Sequence, residues 1–333
     1  MSVSTVKVTE DEADIRLDRW FRRHFPGMTQ GAIQKLCRTG QVRVDGARVD
    51  AAVRLTPGQA VRVPPLPSTP PPPARHVMQL DEGERRDLEK LVIYRDEQVL
   101  VLNKPSGLAT QGGPGITKHL DGMLDALRFG SDHRPRLVHR LDRDTSGVIL
   151  LARTPGVAAS LAQAFRTRAV EKIYWAVLAG RPVPVAGRVE IALVRTTGAW
   201  GERTMPAQRG DKEAARAITD YRTLDHAARK LAWMEFRPLT GRTHQLRVHS
   251  VAGLGAPILG DTTYAEPDQN GAGSALVEGL PDTLHLHARA LVLPHPAGGT
   301  LVVEAELPPH MRVTFDTLGF IAPAPKAPER RTR

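Results

Sequence analysis

The chain has 333 residues, a length that fits about two folded domains, and its formal net charge is +10. Hydrophobic residues make up 41% of the chain, which excludes general disorder. A balance this basic favours a polyanionic partner such as RNA or DNA, although surplus charge can also serve solubility alone. A single cysteine, Cys37, excludes a disulfide framework and a thiolate metal cluster, because each needs several thiols. The sequence has no signal-peptide pattern and no bilayer-length apolar run, so we expect a cytoplasmic protein that contacts no membrane.

The region before the first proline-rich segment predicts two helices and a small sheet. Residues 16–25 place apolar side chains at helical spacing, and a second helix has Thr29 as its cap and Gly40 as its stop signal. The Asp45-Gly46 pair is a two-residue hairpin signal, and one further strand follows it.

This small unit resembles an S4 RNA-binding domain through the stretches RLDRWF, LCRTGQVRVDGARV and PGQAVRVP. Two positions depart from that pattern: Thr29-Gln30 stands where a Ser-Arg pair is common, and Gln59 stands where an Asp is common. The alternative is a small folded domain whose basic face is only solvated. The basic side chains expected to contact RNA phosphates are Arg16, Arg19, Lys35, Arg38 and Arg43.

The segment from Pro64 to Ala74, PPLPSTPPPPA, predicts an extended polyproline spacer between two domains. The charged stretch Asp81–Lys90 and the C-terminal APAPKAPERRTR are both expected to be peripheral. The predicted organisation is an S4-like domain over residues 14–63, a linker with the charged segment over 64–88, a catalytic domain over 89–320 and a basic tail over 321–333.

The most informative stretch is LVHRLDRDTSGVILLA, residues 137–152, in which a polar cluster separates two apolar runs. If this segment is extended, Arg140, Asp142 and Asp144 share one face, because side chains alternate along a strand. Arginines nearby favour the ionised form of Asp142, which suits a nucleophile or base. A glycosidase-type carboxylate pair is disfavoured, because residues two apart in a strand lie roughly 6.5 to 7 Å apart on one wall rather than across a substrate.

Two later stretches complete the candidate site. After a helix that begins at Thr154-Pro155, residues 171–178, EKIYWAVL, predict a strand whose Tyr174 either stacks on a base or is ordinary core. Residues 240–249, TGRTHQLRVH, lead into a predicted helix and mix cations with apolar anchors. The two histidines of this stretch are five residues apart, which does not match the spacing of a helical zinc site.

The blocks HRLDRDTSG, KIYWAVLAG and GRTHQLRVH resemble, in order and separation, the signature blocks of the RluA family of pseudouridine synthases. The S4-like unit and the stretch VLVLNKPSGLATQGG make the sequence most similar to the RluC branch, which modifies large-subunit ribosomal RNA. The resemblance runs from about residue 16 to about residue 318.

The resemblance implies roles for single residues. Asp142 matches the catalytic aspartate, Tyr174 the tyrosine that packs against the target base, and Arg242 the basic residue paired with the aspartate. Arg140 resembles the arginine that fills the gap left by the extruded nucleotide. The further residues expected to bind substrate are His139, Thr243, Leu246 and Arg247.

The implied fold class is α+β: a small S4-type domain of two helices and a small sheet, followed by a catalytic domain with a mixed, largely antiparallel central sheet flanked by helices. The implied activity is isomerisation of uridine in 23S ribosomal RNA or a large-subunit precursor by a monomer, with no metal and no cofactor. The main alternative is a non-catalytic RNA-binding or ribosome-assembly factor. A cofactor-using RNA methyltransferase is disfavoured, because the sequence contains no G-x-G-x-x-G loop.

Overall fold

The computed structural model describes residues 3–66, 78–113, 115–198, 201–227, 230–265 and 276–331. The chain divides into two compact units, Met1–His76 and Val77–Arg333. Most of the proline-rich spacer expected between them falls at residues 67–77 and so lies outside the described residues. In the part of the chain that is described, no helix is both long and apolar enough to cross a membrane.

The smaller unit has the two helices and small sheet that the sequence predicted. Its helices pack on each other through Leu17, Trp20, Phe21 and Ile33, all fully buried, and each such burial stabilises the fold by roughly 1.5 to 3 kcal/mol. Thr29 caps the second helix by accepting from the Ala32 amide. The elements are β1 (Ser4–Lys7), α1 (Leu17–His24), α2 (Gln30–Arg38), β2 (Arg43–Val44), β3 (Ala47–Arg48) and β4 (Ala60–Val63), with sheet order β1-β4-β2-β3.

The larger unit is built on one extended sheet with helices packed around it. Its helices are α3 (Glu82–Lys90), α4 (Leu120–Met123), α5 (Pro155–Arg166), α6 (Gln245–Leu254) and α7 (Pro309–Leu318). Its strands are β5 (Val92–Arg95), β6 (Val99–Lys104), β7 (Arg136–Leu137), β8 (Ser146–Ala152), β9 (Glu171–Ala179), β10 (Ala186–Glu190), β11 (Leu193–Gly198), β12 (Gly201–Pro206), β13 (Ile218–Ala227), β14 (Leu231–Pro238), β15 (Leu286–Pro294), β16 (Thr300–Glu304) and β17 (Glu329–Arg331).

The main path of the large sheet runs β10-β13-β14-β9-β15-β8-β6-β5, and β7, β16 and β17 pair at its side. The β8–β15 pair is parallel, whereas the other pairs described in this sheet are antiparallel. Strands β11 and β12 form a separate two-stranded hairpin. The predicted fold class, with a mixed and largely antiparallel central sheet, is therefore confirmed.

Strand β8 is buried on both faces. Val148 and Leu150 pack into one core cluster, while Ile149 and Leu151 pack into a second cluster on the opposite face. Side chains alternate along a strand, so a strand covered on both sides needs an unbroken apolar run. The sequence GVILLA supplies that run. Strand β8, whose start follows the polar cluster, therefore lies inside the sheet between β15 and β6.

Two segments expected to be peripheral belong to the larger unit. The charged stretch forms α3, which begins with an Asp81–Glu84 capping box, and its Leu88 is 2% exposed within a core cluster of that unit. The tail adds the edge strand β17. Both segments lie at the surface of this unit, since most side chains of α3 and all three of β17 are exposed.

Candidate active site

Residues 139–145 form a loop between β7 and β8, and not the strand considered from the sequence. The Thr145 amide donates to the Asp142 carbonyl at 3.2 Å, which closes a turn that begins at Asp142. A turn cancels the alternation of side chains, so Asp142 and Asp144 do not share a strand face. Asp144 instead accepts a hydrogen bond from Arg143 at 3.1 Å.

The stretch between Lys104 and Thr110 fixes the backbone of this loop. The fully buried ammonium of Lys104 donates to the carbonyls of Pro105, Leu108 and Arg143 at 2.9, 2.7 and 2.9 Å. Ser106 Oγ donates to the Asp144 carbonyl at 2.7 Å. The two loop carbonyls that follow Asp142 are therefore both held by this stretch.

Thr110 completes this support. Its hydroxyl donates to the Leu141 carbonyl at 2.6 Å and accepts from the Leu141 amide at 3.2 Å. Burial lowers the pKa of Lys104 to about 8, against the opposing effect of the Asp144 and Asp142 carboxylates. The stretch NKPSG, residues 103–107, and Thr110 thus anchor the Asp142 loop.

Gly147 brings two strands unusually close just after the loop. Its φ is +108°, and a Cβ there would lie 2.7 Å from both the carbonyl carbon and the amide nitrogen of Ala288. Only glycine fits that approach. This contact belongs to the short parallel pairing of β8 and β15, in which His287 and Ala288 face Ser146 and Gly147.

Three side chains from other elements surround the Asp142 carboxylate, which is 22% exposed. His244 Nε2 lies 3.9 Å from Asp142 Oδ2. Burial and then the nearby Asp142 charge raise the pKa of Tyr174 above its usual value, so this hydroxyl stays protonated. The Asp142 charge also helps to raise the pKa of Arg247, although burial opposes it.

Arg247 is a buried cation of this site. Its guanidinium is 7% exposed and binds Asp261 through two hydrogen bonds of 2.8 and 2.7 Å. Burial opposes ionisation of Asp261, yet the paired Arg247 and the amides of Thr263 and Tyr264 hold its pKa below the usual value. The pair therefore stays charged, and Asp261 fixes where Arg247 lies.

The expected pairing of Arg242 with Asp142 is wrong in this structure. Arg242 is exposed, and its Nε donates at 3.2 Å to the Arg216 carbonyl. A turn separates Arg242 from α6, and the Arg242 side chain bonds the Arg216 carbonyl and not Asp142. Sequence alone could not choose between two arginines five residues apart.

The turn before α6 is fixed by a buried amide. Gln245 accepts from Thr240 Oγ1 at 2.7 Å and from the Arg242 amide at 3.1 Å, and it donates to the Ile218 carbonyl at 3.0 Å. These bonds join the start of α6 to β13. They satisfy the buried polar atoms of the Gln245 side chain.

The remaining predicted substrate residues fall into two groups. His139 accepts from the Leu150 amide at 2.8 Å and stacks on Phe165, and burial lowers its pKa to about 3, so the ring is neutral and occupied within the fold. Leu246 is a core residue at 6% exposure. Both therefore support the site and do not line an open surface. Thr243 is half-buried and Arg140 is exposed, so these two stay candidates for contact with RNA.

In the smaller unit, the expected phosphate contacts also divide. Arg16 is paired with Asp18 at 2.7 Å, and Arg43 donates to the carbonyls of Gly40 and Gly46 at 3.3 and 3.0 Å. The exposed cations are Arg19, Lys35 and Arg38, of which the last two line an open cleft of about 540 Å³. Their contact with RNA stays a prediction.

Comparison with known proteins gives one consistent result. A family model described as RNA pseudouridylate synthase matches residues 98–252. The ribosomal large subunit pseudouridine synthase C of Rickettsia bellii is 34% identical over 88% of this chain and 94% of its own length. The mitochondrial RNA pseudouridine synthase 4 of Arabidopsis thaliana is 32% identical over 94% of this chain and 81% of its own length. Human RNA pseudouridylate synthase domain containing 4 matches with a TM-score of 0.60 and 30% identity, over 72% of this chain and 97% of that structure.

Fold, site and comparisons define an isomerase that acts on RNA. The chain belongs to the RNA pseudouridylate synthase family, as the three sequence blocks predicted. The enzyme interpretation is thereby confirmed over the non-catalytic RNA-binding protein and the methyltransferase.

Proposed function

We propose that the chain converts uridines of large-subunit ribosomal RNA into pseudouridine, with Asp142 as the catalytic residue. The observation that carries the role of Asp142 is its setting: a partly exposed carboxylate on a firmly anchored loop, close to the protonated Tyr174 hydroxyl and the fixed charge of Arg247. The RNA class is supported by the name of the similar Rickettsia bellii protein. A monomeric state and a cytoplasmic location stay predictions from the sequence.

The reaction breaks the N1–C1′ glycosidic bond, forms a C5–C1′ bond, and moves a proton from C5 to N1. Atoms and oxidation state are conserved, so the chemistry requires no external redox group. Asp142 either attacks the sugar or removes a sugar proton, and in both routes it must be an anion. Arg247, held by Asp261, supplies positive charge beside that anion without a bond that would occupy its oxygens.

The target uridine must leave its stack to reach Asp142, at a cost of a few kcal/mol. Arg140 is exposed on the same loop, two residues before Asp142, where its guanidinium can take the place of the extruded base. Tyr174 contributes an aromatic ring for the base to pack against. These three side chains together describe a site for a flipped nucleotide.

The test combines mapping with one matched pair of variants. Pseudouridines in ribosomal RNA are mapped in cells with the gene, without it, and with Asp142→Asn or Asp144→Asn. We expect large-subunit positions to disappear on deletion and with Asp142→Asn, and to persist with Asp144→Asn, because Asp144 is engaged by Arg143 on the surface. Modification by Asp142→Asn enzyme would contradict the catalytic role, and a change confined to other RNAs would contradict the substrate.

A further inference from the structure

A histidine in an unusual backbone conformation lies next to the proposed catalytic carboxylate. His244 precedes α6 with φ 51° and ψ 19°, in the left-handed region that side chains other than glycine seldom adopt. Such conformations persist where the surroundings fix them, and they are frequent at functional sites. The conformation places the His244 ring between Asp142 and Tyr264.

Tyr264 determines how the His244 ring can be protonated. Its hydroxyl oxygen accepts from the Thr204 amide at 3.1 Å and lies 2.8 Å from His244 Nδ1. Burial raises the pKa of Tyr264, so the hydroxyl keeps its proton, and Nδ1 is the acceptor it meets among the described residues. A hydroxyl that donates to Nδ1 leaves the ring proton on Nε2, the nitrogen that faces Asp142.

The charges around His244 come from several elements. Asp142 and Asp261 favour the protonated ring, whereas Arg140 and Arg247 disfavour it. Burial is the largest influence and lowers the pKa of His244 below its usual value. At neutral pH the ring is therefore neutral and has one N–H to donate.

We propose that His244 is a positioning residue that presents its Nε2 proton to Oδ2 of Asp142, in a tautomer fixed by Tyr264, which the hairpin β11–β12 holds through Thr204. This inference rests on the proposed function of Asp142. The 3.9 Å separation closes to a hydrogen bond when the flipped nucleotide fills the site, because catalytic hydrogen bonds are often long before substrate binds. Oδ2 is then occupied, and Oδ1 is the oxygen directed to the sugar.

The principal test is a double-mutant cycle between Tyr264→Phe and His244→Ala, measured as single-turnover rates at saturating enzyme on one RNA fragment. We expect each single variant to lose about tenfold in rate with unchanged RNA affinity, and the double variant to be no slower than His244→Ala alone. Tyr221→Phe is the matched control, because its hydroxyl bonds the Pro184 carbonyl at 3.3 Å and should leave the rate unchanged. Additive losses in the double variant would overturn the network.

A second variant separates positioning from proton transfer and from misfolding. His244→Gln keeps an N–H donor but cannot transfer a proton as an imidazole does, so it should recover most of the rate lost in His244→Ala. A Gln variant as slow as Ala, at an equal melting temperature, would overturn the positioning role. Activity of the Asp142→Asn enzyme would instead contradict the proposed catalytic role of Asp142. Failure of the positioning role and failure of the proposed function therefore give different results.

Discussion

Cations in the two units of the molecule are used in opposite ways. In the smaller unit Arg19, Lys35 and Arg38 are exposed, whereas in the candidate site Lys104 and Arg247 are buried and fully engaged by carbonyls or a carboxylate. Exposed charges act over a distance and are screened by salt. Buried charges act through fixed geometry and are costly to leave unpaired. The net charge of the chain therefore combines two different functions.

The most direct test of this difference is to remove the buried cation Arg247 from the candidate site. Arg247→Ala leaves Asp261 as an uncompensated buried anion, which should cost about 3 to 5 kcal/mol of stability, and should lower the single-turnover rate by at least about a hundredfold. Urea unfolding and rate measurements on the same preparation check both. Arg242→Ala is the matched control and should stay within about 0.5 kcal/mol, because that side chain is exposed. Equal losses in the two variants would contradict the assignment.

Lys104→Met tests whether a buried ammonium is structural. The variant keeps the side-chain length but leaves the carbonyls of Pro105, Leu108 and Arg143 without their donor, so we expect a loss of about 2 to 4 kcal/mol in the free energy of unfolding. Unchanged stability would show that water replaces the ammonium.

The same variant has a pH signature. The pKa of Lys104 is about 8 in the folded state and about 10.4 when unfolded, so between these values the unfolded chain binds more protons. Stability from this group therefore rises with pH across that window and is lost as pH falls through about 8. Urea titrations at several pH values should show a smaller upward slope for Lys104→Met than for the native protein. Identical slopes would mean that Lys104 does not titrate there.

The smallest effect should come from the exposed cations. Replacing Arg19, Lys35 and Arg38 together by Gln should weaken RNA binding about tenfold at moderate salt and reduce the salt slope of log K by roughly 2. The saturated rate and the melting temperature should not change. The matched control replaces Arg85, Arg86 and Lys90, which are exposed cations paired with acids on α3. If the control variant loses as much RNA affinity, the loss in the first variant reflects net charge alone and not contacts made by these three residues.

The sequence predicted the parts of the molecule that follow from local patterns. Each of these parts depends on only a few neighbouring residues. They are the helix caps at Thr29 and Thr154, the Asp45-Gly46 hairpin and the apolar run of β8. The sheet class and the candidate Asp142 loop followed from resemblance in ordered blocks.

What sequence reasoning missed depends on contacts between distant residues. The Tyr264–His244 and Arg247–Asp261 pairs join positions 20 and 14 residues apart, and Lys104 reaches Arg143 across 39 residues. No periodicity or spacing marks such pairs in one sequence. The mistaken choice of Arg242 has the same cause, because the turn at Gln245 decides which arginine enters the site.

The close approach of Gly147 to Ala288 has a consequence for how variation in this protein is interpreted. A single methyl group at position 147 would force apart the two strands behind the Asp142 loop, although glycine offers no functional group. A survey that ranks positions by chemical reactivity would pass over it. Substitution of Gly147 should therefore be poorly tolerated, because the two strands leave room there for a hydrogen atom and nothing larger.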